Sequence, residues 1–165
     1  MSPRKFVKFA LALVLLLAVA GSVSALDAGA KAPEIGLKDQ HGKQISMAGL
    51  KGKVVIVDFF ASWCAPCRDE MPVLQHLYKK YGKDGLVVVG VSVDKERQNA
   101  IDFAKKLGVT FPIVHDGEHG VAKRYEPKKM PSSFIIDRSG KVSKVHAGFH
   151  KKDAAEIEKK VKSLL

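Results

Sequence analysis

Val54-Val55-Ile56-Val57-Asp58-Phe59-Phe60-Ala61-Ser62-Trp63-Cys64-Ala65-Pro66-Cys67 is the stretch on which the reading of this chain turns. Its first seven residues are β-branched or aromatic with one interruption, Asp58. A continuous apolar run of that kind suits a central strand buried on both faces. Beyond it the apolar spacing changes period. Met71, Leu74, Leu77, Tyr78 and Tyr81 recur three or four residues apart, and Gly82 stands where a helix would stop, so a helix is predicted from Ala65. Cys64 and Cys67 therefore fall at the junction of a buried strand and a helix, within one turn of each other.

Outward from that junction, strands and helices alternate. Leu86 to Val93 reads as a second buried strand, and Ile101, Phe103, Ala104 and Leu107 mark a helix ended by Gly108. Phe111 to Val114 reads as a short strand, Gly120 to Tyr125 as a helical turn or two, and Ser133 to Ile136 as a strand after Met130-Pro131. Arg138-Ser139-Gly140 is a hairpin turn into a strand from Val142 to Ala147, and Ala154 to Leu165 is a closing amphipathic helix. Upstream, Asp27 to Lys53 is polar and punctuated by Pro33, Gly36, Gly42, Gly49 and Gly52, which predicts a lead-in hairpin. The pattern describes an α/β fold with a central mixed sheet flanked by helices. No internal repeat or low-complexity tract interrupts it.

The first 25 residues read differently. Arg4, Lys5 and Lys8 precede an uninterrupted apolar run of twelve residues from Phe9 to Ala20, and Val23-Ser24-Ala25 has the small residues of a signal peptidase site. The expectation is a signal peptide cleaved after Ala25, leaving residues 26–165 as one domain. The competing expectation is an uncleaved anchor, since no charge lies between Lys8 and Asp27, although a spanning helix takes roughly 20 apolar residues. Either reading puts the domain outside the cytoplasm.

The full chain of 165 residues carries 28 basic and 17 acidic residues, a net charge of +11. Removing Arg4, Lys5 and Lys8 leaves 25 basic residues against 17 acidic, a net of +8. The lysines are scattered in pairs, Lys79-Lys80, Lys105-Lys106, Lys128-Lys129, Lys151-Lys152 and Lys159-Lys160. That spread belongs to solvated helix faces rather than to a nucleic-acid groove, and no nucleic-acid partner is expected.

The chain has two cysteines. A bridge across two residues constrains the unfolded chain very little, so its purpose is redox rather than structural. Disulfide exchange needs a thiolate to attack a partner's sulfur and a second thiol to resolve the mixed disulfide. Cys64, at the start of the helix, meets unpaired N–H groups and the positive end of the helix dipole, which favour its thiolate and make it the nucleophile. Cys67, one turn inside, is the resolving thiol and the less exposed of the two. Pro66 fits the first turn, where its missing N–H costs nothing. A structural zinc site would need further ligands. His115 with His119 and His146 with His150 fall in expected loops and read as surface histidines, so no metal or other cofactor is expected. Trp63 is expected to shield the disulfide and pack on a substrate, against the alternative of simple core packing.

The stretch from Val57 to Cys67, with Met130-Pro131 before a strand, resembles thioredoxin. The finer resemblance is to exported TlpA/ResA-like reductases: Ala32-Pro33 near the start, Leu50-Lys51-Gly52-Lys53 before the strand, and Gly90-Val91-Ser92-Val93-Asp94 after the first helix. It implies a thioredoxin-like fold with an inserted βα element near residues 95 to 125. It implies a cis peptide at Pro131 facing the disulfide, so that Met130 and Pro131, with Trp63 and Pro66, meet the substrate chain. Asp58 matches the buried acid of thioredoxin and Glu70 the active-site glutamate of the ResA group; burial would raise both and suit them to proton exchange with Cys67. The plainer account of Glu70 is an acid stabilised near a helix start. The resemblance further implies protein disulfide substrates, apocytochrome c cysteines among them, and electrons supplied by a membrane thiol relay.

Two other activities are weighed. A thiol peroxidase, suggested by the inserted element, needs a cysteine in a different loop context, and none exists here. A copper(I) metallochaperone would use soft thiolates, but the related copper-delivery proteins carry CxxxC with a partner histidine, and this spacing is one residue short.

Overall fold

In the computed structural model, which describes residues 26–165, the chain runs β1 (Leu37–Lys38), β2 (Gln44–Ile45), a single 3-10 turn (Ala48–Leu50), β3 (Val54–Phe60), α1 (Ala65–Tyr81), β4 (Leu86–Ser92), α2 (Arg97–Lys106), β5 (Ile113–His115), α3 (Gly120–Tyr125), β6 (Ser132–Ile136), β7 (Val142–Ala147) and α4 (Asp153–Lys162). The segment read above as a signal peptide or anchor lies outside the described residues. Strands β1 and β2 pair as the small antiparallel lead-in hairpin, and the other five form one sheet in the order β5-β4-β3-β6-β7. β3, β4 and β5 are parallel, while β6 and β7 run antiparallel to their neighbours. The mixed sheet, the lead-in hairpin and the α2–β5–α3 insertion match expectation.

All seven residues of β3 are buried, so both faces of the strand must be covered. Alternation along a strand sends Val54, Ile56 and Phe60 to one face, where they pack with Met71, Leu74 and Leu77 of α1, Phe103 of α2, and Ile157 and Val161 of α4. Val55, Val57 and Phe59 pack on the other face with Ile35, Ile45, Val121 and Tyr125. There Phe59, Tyr125 and Phe134 form a tilted and edge-to-face trio with centroids 5.1–5.6 Å apart. The Tyr125 hydroxyl donates to the Pro33 carbonyl at 2.7 Å, which ties the N-terminal lead-in to the core.

By the same alternation Asp58 faces α1, in the only polar position of β3. It lies opposite Ser133 of β6, and Ser133 lies opposite His146 of β7. A polar row therefore crosses three strands on the helix-covered face.

Element boundaries depart from the sequence reading where polar residues or proline hide them. Helix α2 begins at Arg97, because its first turn, Arg97-Gln98-Asn99, carries no apolar signal. Strand β5 begins at Ile113 rather than Phe111: Pro112 has no N–H for a ladder, and only its carbonyl is used, accepting from Gly90 N–H at 2.9 Å. Helix α1 carries Pro72 in its interior, which leaves the Arg68 carbonyl without its helical donor.

Gly90, opposite Asp58 in β4, is where the core leaves no room for a side chain. A Cβ there would come 2.6 Å from Ile113 Cδ1 and 3.1 Å from the Phe60 ring. Gly90→Ala should therefore lose about 1–3 kcal/mol through overpacking, read as a lower urea midpoint at unchanged slope; an unmoved midpoint would mean that the Ile113 side chain swings clear at no cost.

Candidate active site

Strand β3 ends at Phe60, and the chain turns at once, with Cys64 N–H donating to the Ala61 carbonyl at 3.1 Å. Cys64 is itself the N-cap of α1: its backbone is extended, and its Sγ accepts from Cys67 N–H at 3.3 Å. The two cysteines are joined as a disulfide. Cys64 is 4% exposed and Cys67 fully buried, the order expected of an attacking and a resolving sulfur. Because the first turn of a helix leaves its N–H groups unpaired, a thiolate on Cys64 gains the Cys67 N–H and the positive end of the dipole together. Pro66 is exposed in that first turn, where no N–H is missed.

Trp63 is 71% exposed, which rules out the core-packing alternative for it. The Met130–Pro131 peptide is cis; Pro131 is buried and Met130 half-buried.

The loop carrying Trp63 and Cys64 is pinned from outside by Asp94, a buried residue just after β4. Its carboxylate accepts from Ser62 N–H at 3.0 and 3.1 Å and from the Ser62 hydroxyl at 2.6 Å, and it also accepts from the Ser92 hydroxyl at 2.8 Å. In the sequence Asp94 stands out only as part of a family motif. No local signal ties Asp94 to Ser62, because the contact spans two parallel strands.

Asp58 and Glu70 meet beneath the disulfide-bearing helix. Both are fully buried, and Ser133 Oγ lies 3.0 Å from Asp58 Oδ1 and 2.9 Å from Glu70 Oε1. The second oxygen of each carboxyl, Asp58 Oδ2 and Glu70 Oε2, has no hydrogen-bond partner. Loss of water pushes Glu70 up to about 8, with Asp153 adding to the rise and the Ser133 hydroxyl opposing it. Asp58 is raised well above the usual carboxylate range, first by burial and then by the charge of Glu70. Glu70 spends its carboxyl on β6 rather than on the helix N-terminus, so the plainer account of it does not describe this side chain. Ser133 is the residue that sequence reasoning missed: a serine opening an apolar strand carries no signal of its own, and only the register of β3 on β6 sets it against Asp58.

The histidines also differ from expectation. His115 ends β5 and His146 lies within β7, so neither is in a loop, and both are partly buried. His115 Nε2 is 2.8 Å from the Asp94 carbonyl, and His146 Nε2 is 3.3 Å from Asp153 Oδ2. Strand pairing draws these rings inward, while His119 and His150 stay exposed. Among the described residues no group of three or more His, Cys, Asp or Glu side chains could hold a metal ion, and no helix is long and apolar enough to cross a membrane.

The sequence profile of the AhpC/TSA family matches residues 28–145. The chain is 37% identical over 125 residues to the thiol-disulfide oxidoreductase ResA of Geobacillus thermodenitrificans, covering 76% of this chain and 72% of that protein. It is 33% identical over 153 residues to ResA of Bacillus subtilis, covering 88% and 86%. Among solved structures, a Chlorobium tepidum protein assigned as the thiol:disulfide interchange protein DsbE superposes with a TM-score of 0.81 at 35% identity, over 84% of this chain and 98% of that one. StoA of Bacillus subtilis gives 0.66 at 30% identity, over 78% and 96%.

The buried carboxyl pair has a thermodynamic consequence. Glu70 is protonated more readily in the folded chain, near 8, than in the unfolded one, near 4.5, so folding is favoured by its protonated form. That stability is complete below the unfolded value and is lost as pH climbs from there through the folded value. Glu70→Gln, which stays neutral, should remove the loss: its urea midpoint should exceed the parent's at pH 9 and draw level near pH 4, and parallel curves would show that Glu70 ionises unhindered. The sequence relatives and the superpositions stand independently of that pair, and they agree: this chain belongs to the AhpC/TSA family, as a thiol-disulfide oxidoreductase of thioredoxin-like fold.

Proposed function

We propose that the chain is an exported reductase of protein disulfides, with Cys64 as nucleophile, Cys67 as resolving thiol, and Glu70 with Asp58 as the proton acceptors. The observation that supports it is one helix carrying three features: Cys64 as its N-cap, fully buried Cys67 one turn on, and buried Glu70 a turn further, its carboxyl sharing Ser133 with Asp58 of β3. In the reduced protein the Cys64 thiolate attacks a substrate disulfide, forming a mixed disulfide and releasing one substrate thiolate. Cys67 gives its proton to the carboxyl pair and its sulfur attacks Cys64 Sγ. The second substrate sulfur leaves as a thiolate, and Cys64 and Cys67 end oxidised by two electrons. A base behind Cys67 is needed because a fully buried thiol resists ionisation.

Exposed Trp63 and Pro66 border the sulfur, and with Met130 and Pro131 they form the surface on which the substrate chain docks. The apolar run of the first 25 residues supports export, with the domain held outside the cytoplasm either free or on an uncleaved anchor. A compartment without a thiol pool then requires reduction by a membrane thiol relay. The motifs shared with TlpA/ResA-like reductases, by the resemblance drawn from the sequence, support cysteines of apocytochrome c as one client.

Cys64→Ser should abolish insulin reduction, whereas Cys67→Ser should trap substrate as a mixed disulfide; turnover retained in either variant would end the exchange reading. Equilibration with glutathione buffers should place the pair near thioredoxin, at about −270 mV, and a value near the strong oxidants, about −120 mV, would make the protein a disulfide donor instead. A deletion strain should lose c-type haem, and normal cytochromes would remove that client while leaving the chemistry.

A further inference from the structure

We infer that Ser133 is a proton relay that joins Asp58 and Glu70 into a single base. The inference deepens the proposed function and rests on its assignment of these two acids. A hydroxyl has one proton to donate and two lone pairs with which to accept. Ser133 Oγ stands within hydrogen-bond distance of a carboxyl oxygen on each side, 3.0 Å from Asp58 and 2.9 Å from Glu70. Two ionised carboxylates could share only one bond from it, and the other contact would set oxygen against oxygen. Both contacts become hydrogen bonds once one carboxyl is protonated and donates to Ser133 while Ser133 donates to the other.

The arrangement has a mirror image, and passing between the two moves no heavy atom. The O–H of the protonated carboxyl breaks as its proton reaches Ser133 Oγ, and the serine's own proton crosses to the opposite carboxylate. The pair keeps one negative charge throughout. A proton taken from Cys67 at either carboxyl is thereby shared by both, and after the Cys64–Cys67 bond has formed the extra proton passes to a leaving substrate thiolate or to water.

The surroundings suit such a store. Asp58 Oδ2 and Glu70 Oε2 have no partner, a deficit that a neutral carboxyl bears more easily than an ionised one. The titratable groups around the pair are Cys67 of α1, three residues before Glu70 and so on the same side of the helix, His146 from β7, whose position is directly opposite Ser133, and Asp153 from α4, whose charge acts on Glu70. From β4 the residue opposite Asp58 is Gly90, which brings no charge. His146 and Asp153 are about one-seventh exposed, so the polar row leads from the buried pair towards solvent.

The test follows the resolving step alone. A mixed disulfide of Cys64 with thionitrobenzoate is prepared, and its displacement by Cys67 is followed by absorbance across the pH range. Ser133→Ala should slow displacement about tenfold at neutral pH, less than the roughly hundredfold or more of a wholly lost acid–base group because both carboxyls remain, and move the inflection of the profile by about one pH unit. Ser133→Thr, which keeps the hydroxyl, should restore both. A Ser133→Ala profile superimposed on the parent's, while Glu70→Gln displaces it, overturns the relay and leaves the acids as bases. If Glu70→Gln also leaves the profile unmoved, the base assignment fails and the relay with it. Should Ser133→Ala not fold, infrared spectra of the parent at neutral pH decide: one protonated carboxylic acid is expected, and none, or two, overturns the inference.

Discussion

A carboxyl group in a strand buried on both faces is the constraint around which this molecule is arranged. Asp58 cannot be left alone there, because an isolated charge in the interior costs far more than the fold can offset. The structure answers by bringing Ser133 from β6 and Glu70 from α1 to the same point, so that two groups that each disfavour ionisation share one hydroxyl. Strand order is part of the answer. Only with β3 between β4 and β6 does Asp58 have a serine on one side and a glycine on the other.

That arrangement sets the conditions for the sulfur chemistry above it. The same strand that carries Asp58 ends four residues before Cys64, and the helix that carries Glu70 begins immediately after it. Strand and helix are therefore two rigid arms fixed to one pivot, the loop that Asp94 holds by three hydrogen bonds from Ser62. A sulfur at the helix tip is favoured as an anion by unpaired N–H groups, whereas the carboxyls one layer below are disfavoured as anions by burial. One helix therefore spans two opposite electrostatic settings, with Cys64 at its electropositive tip and Glu70 buried in the core.

The cost falls on stability. Orphaned carboxyl oxygens in a core are the kind of defect that a fold selected only for stability would replace with apolar side chains. Elsewhere the structure is conventional in what it buries: the Phe59, Tyr125 and Phe134 trio, the leucines of α1 and the aliphatic face of α4. Buried Asp94 and Asp116 have both carboxyl oxygens hydrogen-bonded; the polar row from Asp58 to His146 does not, and it lies on the face shared by both arms of the site.

Much of this was legible in the chain itself. A seven-residue apolar run followed by a change to helical spacing specifies a buried strand feeding a helix, and two cysteines at that junction with no others in the chain specify redox use rather than a staple. Those inferences hold because strand burial, helical period and the electrostatics of a helix tip are local properties. The partners of Asp58 and Glu70 were not legible. Ser133, 75 residues from Asp58, Asp94, 32 residues from Ser62, and the inward-facing His146 become neighbours through strand register, and a one-residue slip would send each to the opposite face. Local sequence thus determined where the sulfurs stand, at a helix tip and one turn inside it, while tertiary structure decided which polar groups are buried together, because strand register sets side chains distant in sequence against one another.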